Sequence, residues 1–192
     1  MPRVNISLDK AVYDRFSERA AREGKTMYAF TNEWLEAASN ISADGGSASA
    51  VTGLWRTSTV LGEVETLLLP SDFVEQMVHE LYAKDKARLL KSFSELGDDL
   101  VGVFKMASDS LEGLAELVRS FNFLTPIKKF EVKEIDRYTI EARIVGAGKS
   151  MQVTECCFSF LKAVLNGYGY EIISEELHAG TIDLTAAKRR IT

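Results

Sequence analysis

The first residues of the chain with a recognisable chemistry are Arg3, Asn5 and Ser7, which occupy alternate positions of the segment RVNISLD. Three aliphatic residues stand between and after them, and this alternation predicts a short strand whose polar side chains share one face. Arginine can bridge the O6 and N7 atoms of guanine, asparagine can bridge N6 and N7 of adenine, and serine can bond to either base. A two-stranded ribbon of this sequence would therefore have the chemistry to read base edges in the DNA major groove.

Two helices are expected to position that strand. Asp9 can cap a first helix that runs through Glu23, and Gly24 suits the left-handed position that ends it. Thr26 can cap a second helix, MYAFTNEWLEAAS. A strand and two helices of about 40 residues cannot bury a core alone. We therefore expect a second copy, with the two strands paired antiparallel beneath four helices.

Residues 3–38 resemble the ribbon-helix-helix family of DNA-binding repressors, through the segments RVNISLD, VYDRFSERAAREGKT and MYAFTNEWL. The resemblance implies that DNA bases are contacted by the outward residues of the strand, Arg3, Asn5 and Ser7. It also implies that a DNA phosphate is contacted by the start of the second helix, at Lys25, Thr26 and Met27. Free backbone N–H groups at a helix N-terminus attract anions, which gives the second expectation a physical basis.

Charge and hydropathy limit where partners can bind. The net charge is −5, and the first 38 residues carry six basic and six acidic side chains, so the acidic excess lies in the remainder. Contacts with nucleic acid are therefore expected only at the N-terminus. The sequence has neither an apolar run of about 18 to 20 residues nor a signal peptide, so no membrane partner is expected. The adjacent Cys156 and Cys157 are not predicted to form a disulfide, which favours a reducing, cytoplasmic setting.

Residues 39–53, SNISADGGSASAVTG, predict a flexible linker between a DNA-binding domain at 1–38 and a larger domain at 54–192. The larger domain opens with an amphipathic helix from Pro70 to about Gly97, and two further helices precede Pro126. A hairpin, a helix and a second hairpin come next, in KKFEVKEIDRYTIEARIVG, QVTECCFSFLKAVLNG and EIISEELHAGTIDLTA. The predicted fold class is an N-terminal ribbon-helix-helix (β-α-α, dimeric) plus a C-terminal α+β domain, with helices followed by β-β-α-β-β.

The segment VGAGKSMQ invites a comparison with phosphate-binding loops, but Arg143 stands where such a loop needs its first glycine. A plain strand-to-helix connection is the favoured interpretation. Cys156, Cys157 and His178 are possible soft metal ligands. Adjacent cysteines on a helix point about 100° apart, so no metal site is predicted.

Several carboxylates could form acidic pairs, but nothing in the sequence fixes their geometry, and a solvated face is the expected arrangement. They are Glu155, Glu171, Glu175 and Glu176. No nucleophile–base arrangement is evident, so neither an enzyme nor a cofactor is predicted.

Residues 60–187 are loosely similar to vinyl-reductase-like ligand-binding domains and their relatives in vesicle-tethering complexes, through a cysteine-bearing helix followed by a glycine and a hairpin. The resemblance implies that an apolar ligand pocket lies near Cys156, Phe160 and Tyr168, or that the domain dimerises there.

The favoured hypothesis is a dimeric, cytoplasmic transcriptional regulator that reads a short pseudo-palindromic operator in double-stranded DNA. Its homodimer would form through the N-terminal strand and helices, and its larger domain would bind a small apolar effector or build a higher oligomer. Two alternatives stay open. The chain could be an antitoxin, which uses the same DNA-binding domain, or a ligand-binding or scaffold protein whose N-terminal arm only dimerises. An enzyme acting through the larger domain ranks third.

Overall fold

The computed structural model describes residues 5–63, 69–120 and 125–189. The chain divides into two compact units, Met1–Val51 and Thr52–Thr192. Each unit has its own internal packing.

The first unit is a pair of helices, α1 (Lys10–Arg22) and α2 (Met27–Ala43). Gly24, with φ +66°, turns the chain out of α1, and Thr26 caps α2 by accepting a hydrogen bond from the Ala29 N–H at 3.2 Å. The two helices meet through a cluster of three aromatic rings, Phe16, Phe30 and Trp34, whose centroids lie 5.2 to 6.4 Å apart. Phe30 is almost fully buried, whereas Trp34 is half exposed.

The predicted fold class is wrong at the N-terminus. Residues 5–9 form no strand, and the first helix or strand of the described chain is α1. A strand needs a neighbour for its N–H and C=O groups, and residues 5–9 pair with no strand among the described residues. Arg3 and Val4, the first half of the predicted ribbon, lie outside the described residues.

Residues 39–53, which the sequence predicts to be a flexible linker, consist largely of helix. They contain the end of α2, a turn that includes Gly45 at φ +82°, and the start of α3 (Ala48–Glu63). Small residues such as alanine and serine are typical of linkers by composition, yet alanine is the best helix former of all.

The second unit continues with three helices and a four-stranded sheet. After α3 come α4 (Ser71–Ala107), α5 (Leu111–Ser120), β1 (Lys129–Glu134), β2 (Thr139–Ala147), α6 (Met151–Gly167), β3 (Tyr170–His178) and β4 (Gly180–Lys188). All strand pairs are antiparallel, in the order β1-β2-β4-β3. The molecule is therefore a helix-rich α+β protein whose antiparallel sheet follows the first five helices, with α6 between its two hairpins.

The main core lies between one face of this sheet and the helices α5 and α6. The buried residues that the strands contribute alternate along each strand, and they include Phe130, Ile140, Ala142, Ile144, Ile182, Leu184 and Ala186. They pack against buried side chains of α6 and α5, among them Leu161, Leu165 and Leu114. The period of two thus selects one apolar face of the sheet, and the opposite face carries the charged side chains.

Helix α4 is broken within its length. Asp85 has φ −157° and ψ 85°, which are not helical angles, and its carboxylate accepts a hydrogen bond from the Arg88 N–H at 2.9 Å. Asp85 thereby caps a second helical segment in the manner of an ordinary N-cap residue. Helix α4 is best described as an N-terminal segment, 71–84, and a C-terminal segment, 86–107.

The C-terminal segment of α4 approaches α6 closely at Gly97. A Cβ atom at this position would lie 2.6 Å from the Phe160 carbonyl oxygen and 2.8 Å from the Ala163 Cβ. Any side chain at position 97 would push the two helices apart. Glycine at position 97 therefore allows the backbones of α4 and α6 to lie in direct contact.

We therefore expect Gly97→Ala to lower the free energy of unfolding by about 1 to 3 kcal/mol, since backbone atoms of α6 cannot move aside as a flexible side chain would. Gly102→Ala is the matched control, because a Cβ at this exposed position of the same helix meets nothing within 4 Å. Gly102→Ala should leave stability unchanged or raise it by up to about 1 kcal/mol through helix propensity. Urea denaturation of both variants makes the comparison, and equal effects would contradict the close contact.

Candidate functional site

A second apolar cluster, separate from the main core, lies between α4 and α6. Its buried residues are Val78, Val153 and Cys156. Around them pack the partly buried Val74, Tyr82, Leu89, Leu90, Phe93 and Cys157. Both segments of α4 contribute to the cluster, so the break at Asp85 lies directly beside it. We refer to these nine residues as the α4–α6 cluster.

A polar group borders this cluster. The Tyr82 hydroxyl donates a hydrogen bond to Oε2 of Glu155, and the Lys86 Nζ forms an ion pair with the same oxygen at 2.6 Å. The Lys86 ammonium also lies 5.0 Å from the centre of the Tyr82 ring. Tyr82 precedes the break in α4 and Lys86 follows it, so one carboxylate of α6 holds both segments.

The ionisation of this polar group follows from its contacts. Partial burial of the Glu155 carboxyl opposes its ionisation, but the hydrogen bonds from Lys86 and Tyr82 outweigh burial and keep its pKa below the ordinary value. The Glu155 carboxylate raises the pKa of Lys86. Burial, together with the hydrogen bond to Glu155, raises the pKa of the Tyr82 hydroxyl. At neutral pH the group consists of a carboxylate, an ammonium and a neutral phenol.

The N-terminal segment of α4 is also tied to the loop before α6. Glu75 accepts a hydrogen bond from the Lys149 backbone N–H at 2.5 Å and one from the Ser150 hydroxyl at 2.7 Å. The Lys149 ammonium pairs with Asp72. Ser150 caps α6, with its hydroxyl oxygen accepting from the Val153 N–H at 3.3 Å. The segment VGAGKS thus consists of the end of β2 and a short strand-to-helix connection, in which Lys149 and Ser150 bond to α4.

The two cysteines are thiols at neutral pH. Cys156 is fully buried and Cys157 half-buried, and both are free. Burial raises the pKa of each thiol to about 11, so neither supplies a thiolate nucleophile at neutral pH. Within residues 5–63, 69–120 and 125–189, no group of three or more His, Cys, Asp or Glu side chains is arranged to hold a metal ion.

The structure disperses the pocket residues predicted from the sequence. Cys156 belongs to the α4–α6 cluster, whereas Phe160 packs against the main core, with its ring 6.2 Å from that of Phe104. The Tyr168 hydroxyl donates to the Ser108 carbonyl oxygen at 2.9 Å. At 1.5 Å per residue, Cys156 and Tyr168 are about 18 Å apart along α6. Cys156 alone of the three lines the candidate site.

Sequence reasoning missed Tyr82 and Lys86, and it left Glu155 as one carboxylate among several. These residues come from two helices far apart in the chain, and no local pattern signals their meeting. The one available signal was that Glu155 is the only acidic residue of the mostly apolar α6 and lies beside two cysteines. A charge in that position needs a partner from another element.

The residues predicted to contact DNA are not arranged to bind it in the described structure. Asn5 and Ser7 are exposed and lie outside any strand, and Arg3 is outside the described residues. The Lys25 ammonium is paired with Glu33 at 2.6 Å and with Glu23 at 3.2 Å. These carboxylates raise the Lys25 pKa and neutralise the charge that a phosphate would need.

Of the other predicted phosphate contacts, Thr26 uses its hydroxyl oxygen to cap α2, and Met27 is the half-buried first residue of that helix. The N-terminus of α2 is therefore satisfied within the chain, and among the described residues it presents no free cation beside it.

The outer face of the sheet carries a shallow, open depression of about 490 Å³. Its lining is mostly charged and polar and includes Lys133, Glu141, Arg143, Glu176 and Asp183. Opposite charges face each other across the strands, as in the Arg143–Asp183 pair at 3.5 Å. Glu175 and Glu176 lie on this solvated face as the sequence predicted, whereas Glu155 is partly buried on α6 and paired with Lys86. The depression offers no apolar enclosure. No helix of the described residues is long and apolar enough to cross a membrane.

Comparisons with known proteins give no family assignment. No family profile and no curated protein matches the chain. Solved structures similar to it include an H-NOX domain studied for heme distortion (14% identity, 65% of this chain and 75% of that one, TM-score 0.43) and a mutant H-NOX of T. tengcongensis (14%, 65% and 77%, TM-score 0.41). A third belongs to work on H-NOX activation (15%, 67% and 82%, TM-score 0.41). At these low values the likeness assigns neither a family nor a ligand.

The predicted ribbon-helix-helix repressor is therefore a wrong assignment. The strand on which it rested is absent from residues 5–9, where the described chain begins without a strand and α1 is its first element. The predictions that depended on it are wrong as well. They are the transcriptional regulator, the double-stranded DNA partner and the homodimer built on the N-terminal strand.

Heme, with which some of these H-NOX structures are concerned, finds no histidine placed to bind it within the described residues. The two histidines of the chain are His79, which is exposed on α4, and His178, which is exposed and bonded to Glu176 at 2.9 Å. Neither ring faces an apolar enclosure within the described residues. The described part of the chain therefore offers no enclosed histidine as an axial ligand.

Glu155 provides a test of the electrostatics of the site. Because the folded-state pKa of Glu155 lies below its ordinary value of 4.5, its ionised form stabilises the fold above that pH. This contribution disappears as the pH falls through the folded-state pKa. Glu155→Gln should therefore cost about 1 kcal/mol of unfolding free energy at pH 7. The difference from the unmodified protein should shrink below the ordinary pKa, as measured by urea denaturation across pH.

Glu95→Gln is the control for this experiment, because Glu95 forms an exposed ion pair with Lys91 at 3.0 Å, also on α4. Exposed pairs contribute little, so its effect should stay below about 0.5 kcal/mol at every pH. A Glu155→Gln difference that stays constant from neutral to acid pH would show that the carboxylate charge does not stabilise the site.

Proposed function

We propose that the Thr52–Thr192 unit is a ligand-binding domain that takes a small, largely apolar ligand at the α4–α6 cluster. The observation that carries the proposal is the cluster itself, an apolar contact region separate from the main core and bordered by one polar group. Ligand sites in proteins commonly combine an apolar lining with a few convergent polar groups whose pKa values are perturbed. The α4–α6 cluster has this composition.

The lining determines the chemistry of the ligand. Valine, leucine, phenylalanine and uncharged thiols surround Val78 and Cys156, so a ligand gains free energy mainly by leaving water, at about 25 cal/mol per Å² of apolar surface. We expect the ligand to be small, because the cluster that would contact it consists of nine side chains, three of them buried. The break at Asp85 supports entry, since two short segments can move apart more easily than one continuous helix.

The proposal is one of binding and not of catalysis. The charged group at the rim is an internally paired carboxylate, ammonium and phenol, and the thiols beside it are protonated at neutral pH. A reducing, cytoplasmic setting belongs to the same proposal, because it keeps the adjacent Cys156 and Cys157 as free thiols.

Benzene is a suitable first probe, because it enters apolar sites without needing a polar contact. In ¹H–¹⁵N spectra of the full chain, benzene should shift the amide signals of Val78, Val153 and their neighbours and leave those of the main core in place. Val78→Phe enlarges a buried side chain of the cluster and should abolish these shifts, because the larger ring takes the space that benzene would need.

Met77→Phe is the matched control for Val78→Phe. It places the same side chain on the same helix at a neighbouring residue that is 43% exposed and not part of the cluster. The benzene shifts should persist in this variant. A cooperative thermal transition in both variants verifies that they fold. Val78→Ile adds only one methylene group at the same position and should weaken the benzene shifts less than Val78→Phe. If benzene leaves the cluster signals unshifted, the ligand-binding proposal is wrong.

A further inference from the structure

We propose that the ligand of this site carries a carboxylate, and that its head group takes the place which Glu155 occupies between Tyr82 and Lys86. This inference rests on the proposed function and names the ligand class, a small amphipathic monocarboxylate. Glu155 is then an internal occupant of the head-group position.

The geometry of the two donors points to this class. The Tyr82 hydroxyl and the Lys86 ammonium converge on a single atom, Oε2 of Glu155. Two donors that share one carboxylate oxygen form a cradle for a carboxylate, and such charge-assisted hydrogen bonds are the stronger kind. The Lys86 side chain is 52% exposed, so a head group can reach the cradle from solvent.

The cradle lies at the edge of the α4–α6 cluster. Tyr82 itself packs against the cluster, and Glu155 immediately precedes the buried Cys156 on α6. A carboxylate held by Tyr82 and Lys86 therefore places the apolar part of the same molecule against the apolar lining. The head group would contact Tyr82 and Lys86, and the tail would contact the adjoining α4–α6 cluster.

The exchange of one carboxylate for another explains how an occupied cradle can bind. The number of charges in the site is unchanged when Glu155 leaves and the ligand enters, so the burial of the tail supplies the net free energy. The Glu155 side chain is 22% exposed, and it has access to solvent when displaced. Asp85, the break in α4, lies between the two donors, so a rotation at one residue widens the cradle.

Octanoate and 1-octanol are the probes that test the inference, because they share a chain length and differ in the head group. In the full chain, Glu155→Ala should bind octanoate about tenfold more tightly than the unmodified protein, since the internal competitor is gone. The affinity for octanol should change by less than about twofold, because octanol carries no charge for the cradle. Isothermal titration or the ¹H–¹⁵N shifts of the cluster supplies both constants.

Removing the Lys86 donor should cancel the gain in octanoate affinity that Glu155→Ala produces. Lys86→Met keeps most of the side-chain length without the charge, and in combination with Glu155→Ala it should return octanoate binding to the level of octanol. Glu155→Gln, which keeps the shape of the side chain, should also strengthen octanoate binding and guards against misfolding of the alanine variant. Unchanged octanoate affinity in both Glu155 variants, or an equal gain for octanol, overturns the inference.

The outcomes separate this inference from the proposed function. If benzene and octanol bind at the cluster but octanoate shows no dependence on Glu155, the carboxylate class is wrong and the apolar site stands. If none of the three probes shifts the signals of the cluster, the site itself is wrong.

Discussion

The break at Asp85 is the constraint on which the α4–α6 region depends. Helix α4 has 37 residues and α6 has 17. As straight rods they would be about 55 Å and about 25 Å long, so most of α4 would extend beyond its partner. Val78 and Phe93 would be about 22 Å apart on a straight helix, whereas Val153 and Cys157 span about 6 Å. Bending at Asp85 brings both segments of α4 against the same turns of α6.

This arrangement places a charged residue at a junction that is otherwise apolar. Glu155 contacts both segments of α4, through Tyr82 and Lys86, and it is the polar link nearest the break. Partly exposed ion pairs contribute little to stability, and the apolar cluster beside this one is small. The C-terminal segment of α4 is held closely against α6 at Gly97, whereas the N-terminal segment is held by this small cluster and by partly exposed polar contacts. A site that opens for a ligand needs such a weakly held segment.

The N-terminal unit shows how far a local pattern can mislead. Alternation over residues 3–8 has the period of a strand, but a strand is stable only when a neighbour takes its hydrogen bonds. The described residues 5–9 have no such neighbour, and the two helices instead bury Phe30 against Phe16. The cation expected to attract phosphate, Lys25, is held by two glutamates of its own chain. Neither fact is visible in the pattern of residue types.

The sequence by itself determined the local elements whose signals are local. Alternating residues mark β1 and β2, the Pro70–Ser71 pair marks the start of α4, and Gly167 stands at the end of α6. These positions follow from backbone preference and from the period of the apolar residues, which act within a few residues of each other. The tertiary structure alone decided the break at Asp85, the strand order β1-β2-β4-β3 and the meeting of Tyr82 and Lys86 with Glu155. Each of these depends on groups far apart in the chain, whose contact is fixed by packing and not by the preferences of neighbouring residues.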